Sequence, residues 1–524
     1  MRKVTEQRDL YAYHWSLRLV ARILFCVCFT VPTVAENENT PTGTGATFQT
    51  EGTLTARGEI LHYQAIAQET LLPANQELPV AQYFSFTYLK KSQSKTNRPV
   101  TFLFNGGPGS ASHWLHLGGL GPKQIPISKN GQQSPSTIEN SESLLGVTDL
   151  VFIDPVGTGF STAAPQTGET NLTSAQIQTR KFWGVVEDTR SVTDFILAWL
   201  QQQDRMKSPV YLVGESYGAL RATLIADELE RKHQLSVKGL VLLSAAQNYR
   251  NIRTPDGSVM GYMSYFPTYA ATAWHHKKAG QNHTSLENFL AEARHFAANS
   301  YATALIKGNR LSQNEKTIIA DKISYYTGLS SSYILDNDIR IKPLAFLKQI
   351  LSEHTQKISR LDSRHSGSNE HPTTEIYGID PYANNIREPF TNAVQTYLNG
   401  VLNVPLQKGA YITTARTLPY WHWNWNVWGE GNVPSGARFI NVMPNLDRTL
   451  ASNPRLKVFV GAGYYDLATP FYSIENAFSE LKNRQGRIAI HHYSAGHIIY
   501  LDDLARQQLL NDINAFIISD MSNN

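Results

Sequence analysis

The segment 210–221 constrains the fold more strongly than any other part of this chain. Residues 210–213 are apolar and β-forming, which predicts a strand buried on both faces. The sequence Gly214-Glu-Ser-Tyr-Gly218 follows, and leucine and isoleucine then recur at helical spacing over residues 219–232. A strand, a Gly-x-Ser-x-Gly turn and a helix in this order predict a sharp turn that lifts Ser216 to the top of a sheet. The alternative is an ordinary glycine-rich turn, because the motif alone occurs in many unrelated chains.

Strand-like and helix-like segments alternate on both sides of this turn. Antiparallel strands are predicted at 52–66 and 83–89. Further apolar strands are predicted at 100–104, 150–153, 239–243, 456–460 and 487–493. Amphipathic helices are predicted at 182–200, 475–483 and 501–518. This alternation predicts an α/β fold whose central sheet is mostly parallel and carries helices on both faces.

The chain is too long, at 524 residues, to fold around one compact core. The strand–helix alternation is lost in the middle of the chain, so we assign residues 51–247 and 437–524 to the two parts of one core. Residues 248–436 then form a large, mainly helical cap insertion. Within it, the polar segment 352–374 is expected to be a loose excursion. The tryptophan-rich segment 421–428 is expected to pack between cap and core, or alternatively to cover an apolar pocket.

The N-terminus has the pattern of a secretory signal. Two arginines precede the apolar run 23–31, and small residues at 33–35 offer a cleavage site. We therefore predict a signal peptide at 1–35, a flexible leader at 36–50, and a secreted or periplasmic mature protein without a stable membrane span. The alternatives are a short membrane anchor or a misassigned start codon.

The composition argues against several classes of function. A formal net charge of +4 with no long basic run gives no reason to expect a nucleic-acid partner. The histidines have no spacing with carboxylates that indicates a metal site, so neither a metal nor another cofactor is expected. Cys26 and Cys28 are the two cysteines and lie in the predicted signal, so the mature chain would have neither a disulfide nor a thiol nucleophile. The sequence does not indicate the oligomeric state.

Asp466 and His497 complete a constellation with Ser216. Each lies in a glycine-containing loop after a predicted strand, and the three occur in the order serine, acid, histidine. A serine hydroxyl needs a neighbouring base to take its proton, and a carboxylate behind a histidine base fixes its tautomer. The three residues therefore predict nucleophilic catalysis. A binding module with an inactive site is the non-enzymatic alternative.

A second glycine-rich turn, Asn105-Gly-Gly-Pro-Gly109, follows the predicted strand 100–104. It lacks the Gly-Lys-Ser/Thr ending of a nucleotide-binding loop. Beside a serine turn it is suited to supply one of two backbone N–H groups for an oxyanion, and the second comes from Tyr217, the residue after the serine. A plain turn without a catalytic role is the alternative.

Five motifs together resemble those of the serine carboxypeptidase family: 105–109, 154–161, 214–218, the Asp466 loop and Gly496-His497. The resemblance implies an α/β-hydrolase fold with a helical cap, in a bacterial-type member. It also implies an exported enzyme that removes single residues from peptides with a free C-terminus, through an acyl-enzyme.

The same resemblance implies roles for individual residues. Ser216 would be the nucleophile, His497 the general base and Asp466 the acid that orients it. Gly107 and Tyr217 would form the oxyanion hole. The terminal carboxylate of the peptide would be bound by three residues, Asn105, Gly106 and Glu215.

Two positions depart from the family pattern. Gly119 stands where yeast and plant relatives carry a second glutamate, and Ser110 stands where many relatives carry a disulfide-bonded cysteine. A carboxylate next to the scissile bond would be repelled by an ionised Glu215 but bound by a protonated one, and a second carboxyl would help to keep that proton in place. Carboxylate recognition and an acidic pH optimum are therefore in question. A serine esterase or acyltransferase with the same triad is the alternative enzyme.

Overall fold

The computed structural model describes residues 43–75, 78–91, 98–126, 136–163, 172–369, 380–426, 439–482 and 486–521. These residues form a ten-stranded central sheet. Nine of its strands are, in chain order, β1 (Gly43–Ala56), β2 (Glu59–Leu72), β3 (Ala81–Lys90), β4 (Val100–Phe104), β5 (Asp149–Asp154), β6 (Val210–Glu215), β7 (Gly239–Leu243), β8 (Lys457–Gly463) and β9 (Ile488–Tyr493). The remaining strand, Thr162–Ala163, pairs with β3.

The nine strands lie in the order β1-β2-β3-β5-β4-β6-β7-β8-β9. All neighbouring pairs from β5 to β9 are parallel. The pairs that join β1, β2, β3 and β5 are antiparallel. The predicted mostly parallel sheet with an antiparallel N-terminal part is therefore confirmed, and the carboxyl ends of the parallel strands meet at one edge, where α/β folds bind ligands.

Both faces of the sheet are covered. Leu212 contributes to a core that includes residues of the helices Val185–Gln202 and Tyr217–His233. Its neighbour Val213 contributes to the core on the opposite face, with residues of the C-terminal helix Asp503–Met521. Alternate residues of a strand point to opposite faces, so a strand buried on both sides is apolar throughout, as in segment 210–213. The other core helices are Leu172–Arg180, Met443–Ser452 and Phe471–Ser479.

The insertion between β7 and β8 is mainly helical, as predicted. Its helices are Met260–His275, Leu286–Phe296, Ala302–Lys307, Gln313–Thr327, Ser331–Asp336, Pro343–Gln349 and Pro381–Gly400. Contacts among the described residues join the insertion and the core into one compact unit. In the described ranges, none of the helices combines the length and apolar character that crossing a bilayer requires.

Residues 43–50, predicted to belong to a flexible leader, instead begin β1. The pairing with β2 runs from Gly43 opposite Leu71 to Ala56 opposite Glu59. The prediction rested on the glycine- and threonine-rich composition of the segment. Pairing with β2 in a long antiparallel ladder satisfies its backbone groups instead. The predicted signal peptide 1–35 and the rest of the leader lie outside the described residues.

The segment 352–374 is not a loose excursion over its described part, 352–369. Strands Gln356–Ile358 and Ser366–Ser368 form an antiparallel hairpin. Ser359, Asp362 and Ser363 between them are buried. Their polar side chains, which suggested a solvated loop, are instead bonded inside the molecule. Residues 370–374 lie outside the described residues.

In its described part, the tryptophan-rich segment both packs between insertion and core and lines a pocket, the two alternatives that its sequence left open. Trp421 packs on Trp183 with ring centres 4.7 Å apart, and Trp423 packs edge-on against Tyr217 at 5.3 Å. These two contacts join the insertion to the core. Trp425 instead lines the cavity in front of Ser216. Trp428 lies outside the described residues.

Candidate active site

Ser216 lies at the junction of β6 and the helix Tyr217–His233, with a backbone φ of 60° and ψ of −122°. A non-glycine residue with positive φ is strained and persists only where its surroundings hold it. Here the Ser216 N–H donates to the carbonyl of Leu243 at 2.9 Å, and the Ser216 carbonyl accepts from Ala219 N at 3.1 Å. The side chain is partly exposed and faces the cavity, as the predicted turn requires.

Asp466 and His497 are in direct contact. His497 Nδ1 lies 2.7 Å from Asp466 Oδ2. The carboxylate is fully buried and also accepts hydrogen bonds from the N–H groups of Ala468 and Thr469 and from the Thr469 hydroxyl. Burial lowers the pKa of the His497 imidazole, but the Asp466 carboxylate and, to a smaller extent, Glu215 raise it, and the net pKa lies above its ordinary value. The pair therefore holds the imidazole in one orientation and strengthens it as a base.

The second ring nitrogen of His497 points toward the strand that carries the serine. Nε2 lies 3.6 Å from Glu215 Oε1, and the Ser216 hydroxyl makes no hydrogen bond with the described part of the chain. The structure thus brings Asp466 and His497 together, and places Ser216 next to the residue that His497 faces. Serine–histidine hydrogen bonds are often long or misaligned before substrate binds.

The three residues predicted to bind a carboxylate lie together. Asn105 Nδ2 donates to Glu215 Oε2 at 2.8 Å and to the Tyr500 hydroxyl at 3.1 Å, and Asn105 Oδ1 accepts from Leu115 N at 3.0 Å. The Gly106 N–H also bonds to Glu215. Each of these groups is therefore engaged inside the protein. Tyr500 was missed by the sequence analysis, although it follows His497 by three residues.

Burial raises the pKa of the Glu215 carboxyl above its ordinary value, although His497 and the hydrogen bond from Asn105 act in the opposite direction. The space next to position 119, where relatives carry a second glutamate, is taken by another side chain. A Cβ there would lie 2.7 Å from Cδ of Arg506, so the arginine stem occupies the space. The chain therefore differs from the family pattern in two linked ways: position 119 is glycine, and the side chain of Arg506 fills the space beside it.

The glycine turn approaches the serine turn closely. A Cβ at Gly106 would lie 2.5 Å from the backbone N of Tyr217, so only glycine fits there. Gly107 has a φ of 108° and lines the cavity with Ser216. From the insertion, Arg416 donates to the carbonyls of Pro108, at 3.0 Å, and of Gly107. The turn is therefore fixed from both sides.

A cavity of about 560 Å³ opens in front of Ser216. The core contributes Gly107, Ser216 and the loop 467–469, and most of the remaining lining comes from the insertion. Four cationic residues line it, and the sequence analysis singled out none of them: Arg253, Lys342, Arg360 and Arg416. No local pattern could have found them, because they are spread over more than 160 positions of the chain.

The hairpin connection 359–364, which we call the latch, contacts the loops that carry Asp466 and His497. His497 N donates to the Leu361 carbonyl at 2.6 Å, and Leu467 N donates to the Arg360 carbonyl at 3.1 Å. Asp380 in turn accepts from the Arg360 N–H at 2.7 Å. The segment expected to be loose therefore helps to position the acid loop and the histidine loop.

The described residues contain no group of three or more histidine, cysteine, aspartate or glutamate side chains that could hold a metal ion. His113 and His116 are buried in the core, where burial lowers the pKa of each imidazole to about 3. Each has a structural partner: His116 contacts the Tyr88 hydroxyl and His113 the Ala111 carbonyl.

Comparisons with known proteins give a consistent result. A model of the serine carboxypeptidase family matches residues 75–489. The chain is 27% identical over 183 residues to the pheromone-processing carboxypeptidase KEX1 of Coprinopsis cinerea, and 28% identical over 167 residues to serine carboxypeptidase-like 33 of Arabidopsis thaliana. These matches cover 34% and 31% of this chain, and 27% and 31% of the two relatives. The aligned part is thus less than a third of either relative.

A solved structure also matches. It is that of Kex1(delta)p, a prohormone-processing carboxypeptidase from Saccharomyces cerevisiae, with a TM-score of 0.51 and 14% identity over 86% of this chain and 91% of that chain. At this identity the likeness shows a shared fold, and the predicted α/β-hydrolase fold is confirmed.

Proposed function

Because the chain belongs to the serine carboxypeptidase family, we propose that it removes single residues from the C-termini of peptides through an acyl-enzyme on Ser216. The observation that carries this proposal is the buried pair of Asp466 and His497, 2.7 Å apart, beside the strained turn that presents the serine to a cavity. Family membership gives the class of reaction, and the geometry supports the assignment of roles.

In the proposed reaction, His497 Nε2 takes the proton of Ser216 Oγ as that oxygen attacks the last peptide carbonyl. The N–H groups of Gly107 and Tyr217 stabilise the resulting oxyanion. The tetrahedral intermediate collapses when His497 passes the proton to the leaving amino group, and the terminal amino acid departs. Water then attacks the ester on Ser216 with His497 again as base, which frees the shortened peptide and the enzyme.

Glu215 would serve substrate binding rather than bond breaking. Its carboxyl is buried beside Asn105 and has a raised pKa, so its protonated form can donate a hydrogen bond to the peptide's terminal carboxylate. Binding of that carboxylate would have to displace part of the internal hydrogen bonding of Asn105 and Gly106. It would also draw Glu215 away from His497 Nε2, which is then available to the serine.

A second candidate function is ester hydrolysis or acyl transfer by the same triad. The observation that favours it is the internal bonding of Asn105, whose amide hydrogens already go to Glu215 and Tyr500. The filled site at Gly119 acts in the same direction, because it leaves Glu215 without a second glutamate. An ester substrate without a free carboxylate makes no demand on these groups.

Three substrate classes separate the candidates. The purified protein is incubated with blocked dipeptides, with the matching C-terminal amides and with simple esters. Release of the last residue only from free carboxylates supports the carboxypeptidase, and ester cleavage without peptide cleavage supports the second candidate. A protein that turns over none of them, and whose Ser216 is not labelled by an organophosphonate, would contradict both.

Export is part of the proposal. It is supported by the arginine-flanked apolar run 23–31 and the small residues that follow. The test is the N-terminal sequence of the protein recovered from the medium or the cell envelope after expression of the full chain. A mature N-terminus at or near residue 36 is expected, whereas an uncleaved protein retained in the cytoplasm would contradict export.

A further inference from the structure

The cavity in front of Ser216 has an uneven charge. Four of its described lining residues are cationic and none is acidic. They come from four separate parts of the insertion, so the charge is not the by-product of one basic segment. Cations that line one cleft attract anions more strongly than the same charges spread over a surface, because the low-dielectric walls of a cleft focus the electric field.

For Arg253 and Lys342, the described residues around them compensate the positive charge only weakly. Lys342 Nζ lies 3.4 Å from Asp256, but both side chains are exposed, and such a pair is weak in water. The Arg253 guanidinium lies 5.8 Å from the ring centre of Tyr249, which is itself part of the lining. A side chain in the cavity would meet the charge of both residues.

The other two cations, Arg360 and Arg416, lie close to the groups proposed to react. Arg416 is fixed by the carbonyls of Gly107 and Pro108, so its position is tied to the oxyanion turn. The charge of Arg360 is close enough to act on the pKa of His497. Anionic groups of a bound substrate would therefore be held within reach of the scissile bond.

The shape of the cavity fits more than a single carboxylate. Its volume, about 560 Å³, is in the range of pockets that bind small molecules. Leu344, Leu347 and Trp425 give it apolar walls between the cations. Such walls suit the methylene groups of a side chain whose charged end reaches a cation.

From these observations we propose that the cavity selects peptides with an aspartate or glutamate side chain in a residue next to the scissile bond. Arg253 and Lys342 are the specificity-determining residues at its mouth. The proposal rests on the proposed function, because it names the substrates that the same serine acts on. It is independent of how the terminal carboxylate is recognised.

The first test compares matched blocked dipeptides that differ only in glutamate, glutamine or lysine, placed either before or at the C-terminal position. With the wild-type protein we expect kcat/KM for glutamate to exceed that for glutamine by about tenfold in at least one position, with lysine the poorest. Raising the ionic strength should reduce the preference, because salt screens exposed charges. Equal rates for glutamate and glutamine, or a preference for lysine, would overturn the proposal.

The second test uses the double variant Arg253→Met/Lys342→Met, with Lys322→Met as the matched control. Lys322 is an exposed lysine of the helix Gln313–Thr327 and does not line the cavity. The ratio of glutamate to glutamine turnover should fall toward one in the double variant and stay at the wild-type value in the control. An unchanged ratio in a double variant that retains the wild-type melting temperature would contradict the assignment.

A charge reversal adds a gain-of-function readout. Lys342→Glu should raise the turnover of the lysine substrate relative to glutamate, and no such change would count against the proposal. Failure of the proposed function has a different signature, since no peptide of any charge would then be cleaved. If the double variant does not fold, the substrate series and its salt dependence in the wild-type protein still decide the question.

Discussion

The backbone N–H of His497 donates a hydrogen bond to the carbonyl oxygen of Leu361, at 2.6 Å. These residues belong to different parts of the molecule, the core and the insertion. His497 is therefore bonded to Asp466 of the core through its imidazole, and to the latch through its backbone N–H. The insertion supplies most of the cavity lining and also helps to position the loop that carries His497.

Replacement of Ser216 by alanine should abolish turnover. Removal of the nucleophile from a serine triad lowers kcat by a factor on the order of a million. The measurement is kcat on the best blocked dipeptide, with Ser300→Ala, an exposed serine of the insertion, as control. Retention of a tenth of the wild-type activity by Ser216→Ala would contradict its role as nucleophile.

Glu215→Gln should remove a pH dependence of KM. The raised pKa of Glu215 implies that its protonated form binds the peptide carboxylate at low pH and that the ionised form repels it at higher pH. KM of the wild-type protein for free-carboxylate peptides should therefore rise with pH, whereas the permanently neutral glutamine gives a flatter profile. An ester without a carboxylate is the control substrate. Equal losses on both substrates would indicate a structural role for Glu215.

The same substitution should shift the acidic limb of kcat. The carboxylate of Glu215 is one of the groups that raise the pKa of His497, after the larger effects of burial and Asp466. Its removal lowers that pKa, so the neutral base is present at lower pH. The acidic limb of the kcat profile for the ester should therefore move to lower pH in Glu215→Gln. A shift toward higher pH would show that Glu215 does not act on His497 through its charge.

Asp154→Asn should change how stability depends on pH. Burial raises the pKa of Asp154 to about 7, although Ser112 N and the Tyr411 hydroxyl donate hydrogen bonds to it. In the unfolded chain this pKa returns to about 4. The folded state then binds a proton that the unfolded state lacks, so this group makes the free energy of unfolding fall as pH rises from about 4 to about 7.

The neutral asparagine lacks this titration. Relative to the wild type, the free energy of unfolding of Asp154→Asn should improve across that window by up to about 4 kcal/mol. Denaturant titrations at several pH values measure it, with Asp336→Asn, an exposed acid, as control. A constant difference between Asp154→Asn and the wild type would mean that Asp154 titrates normally.

Arg364→Met should loosen the latch. Arg364 donates to Asp362 at 2.6 Å and to the Ser494 carbonyl at 2.8 Å, and so ties the latch to the histidine loop. We expect kcat/KM to fall by about tenfold, because even a small displacement of a catalytic base from its reacting position lowers the rate strongly. Hydrogen exchange should increase together in the latch and in the loop that carries His497. The control is Arg310→Met, whose side chain bonds carbonyls of its own turn.

If exchange increases in the latch alone while kcat/KM stays at the wild-type value, the latch does not position His497. Loss of activity without any change in hydrogen exchange would also contradict the prediction, because Arg364 would then not act by holding the latch against the loop that carries His497.

The parts of the fold that follow from local patterns were predicted well. Strand β6, the serine turn and the helix after it are encoded in consecutive residues, and the parallel strands are short apolar runs. The pairing of Asp466 with His497 could be predicted because each residue lies in a loop directly after a recognisable strand, and because the order of the three residues can be read from the sequence. Helix starts were less accurate: the helix predicted from residue 475 begins at Phe471, directly after Pro470.

The features that were missed depend on contacts between distant residues. Residues 43–50 form a strand because β2 lies beside them, and their composition alone resembles a loop. The latch bonds through backbone carbonyls to loops that lie more than 100 positions away in sequence, which its polar side chains do not reveal. The cationic lining and Tyr500 become visible only when separate segments converge. None of these relationships has a periodic or motif-like signature in one sequence.

The latch holds the loops of Asp466 and His497 through the carbonyl oxygens of Arg360 and Leu361, and every amino acid provides such a group. Side chains at these two positions could therefore diverge during evolution without loss of the anchor, whereas a change in the length of the connection would misplace it. Sequence conservation would then understate the importance of this segment. A chimera that exchanged the whole insertion with that of a related enzyme would need to preserve this path, since the core alone does not supply it.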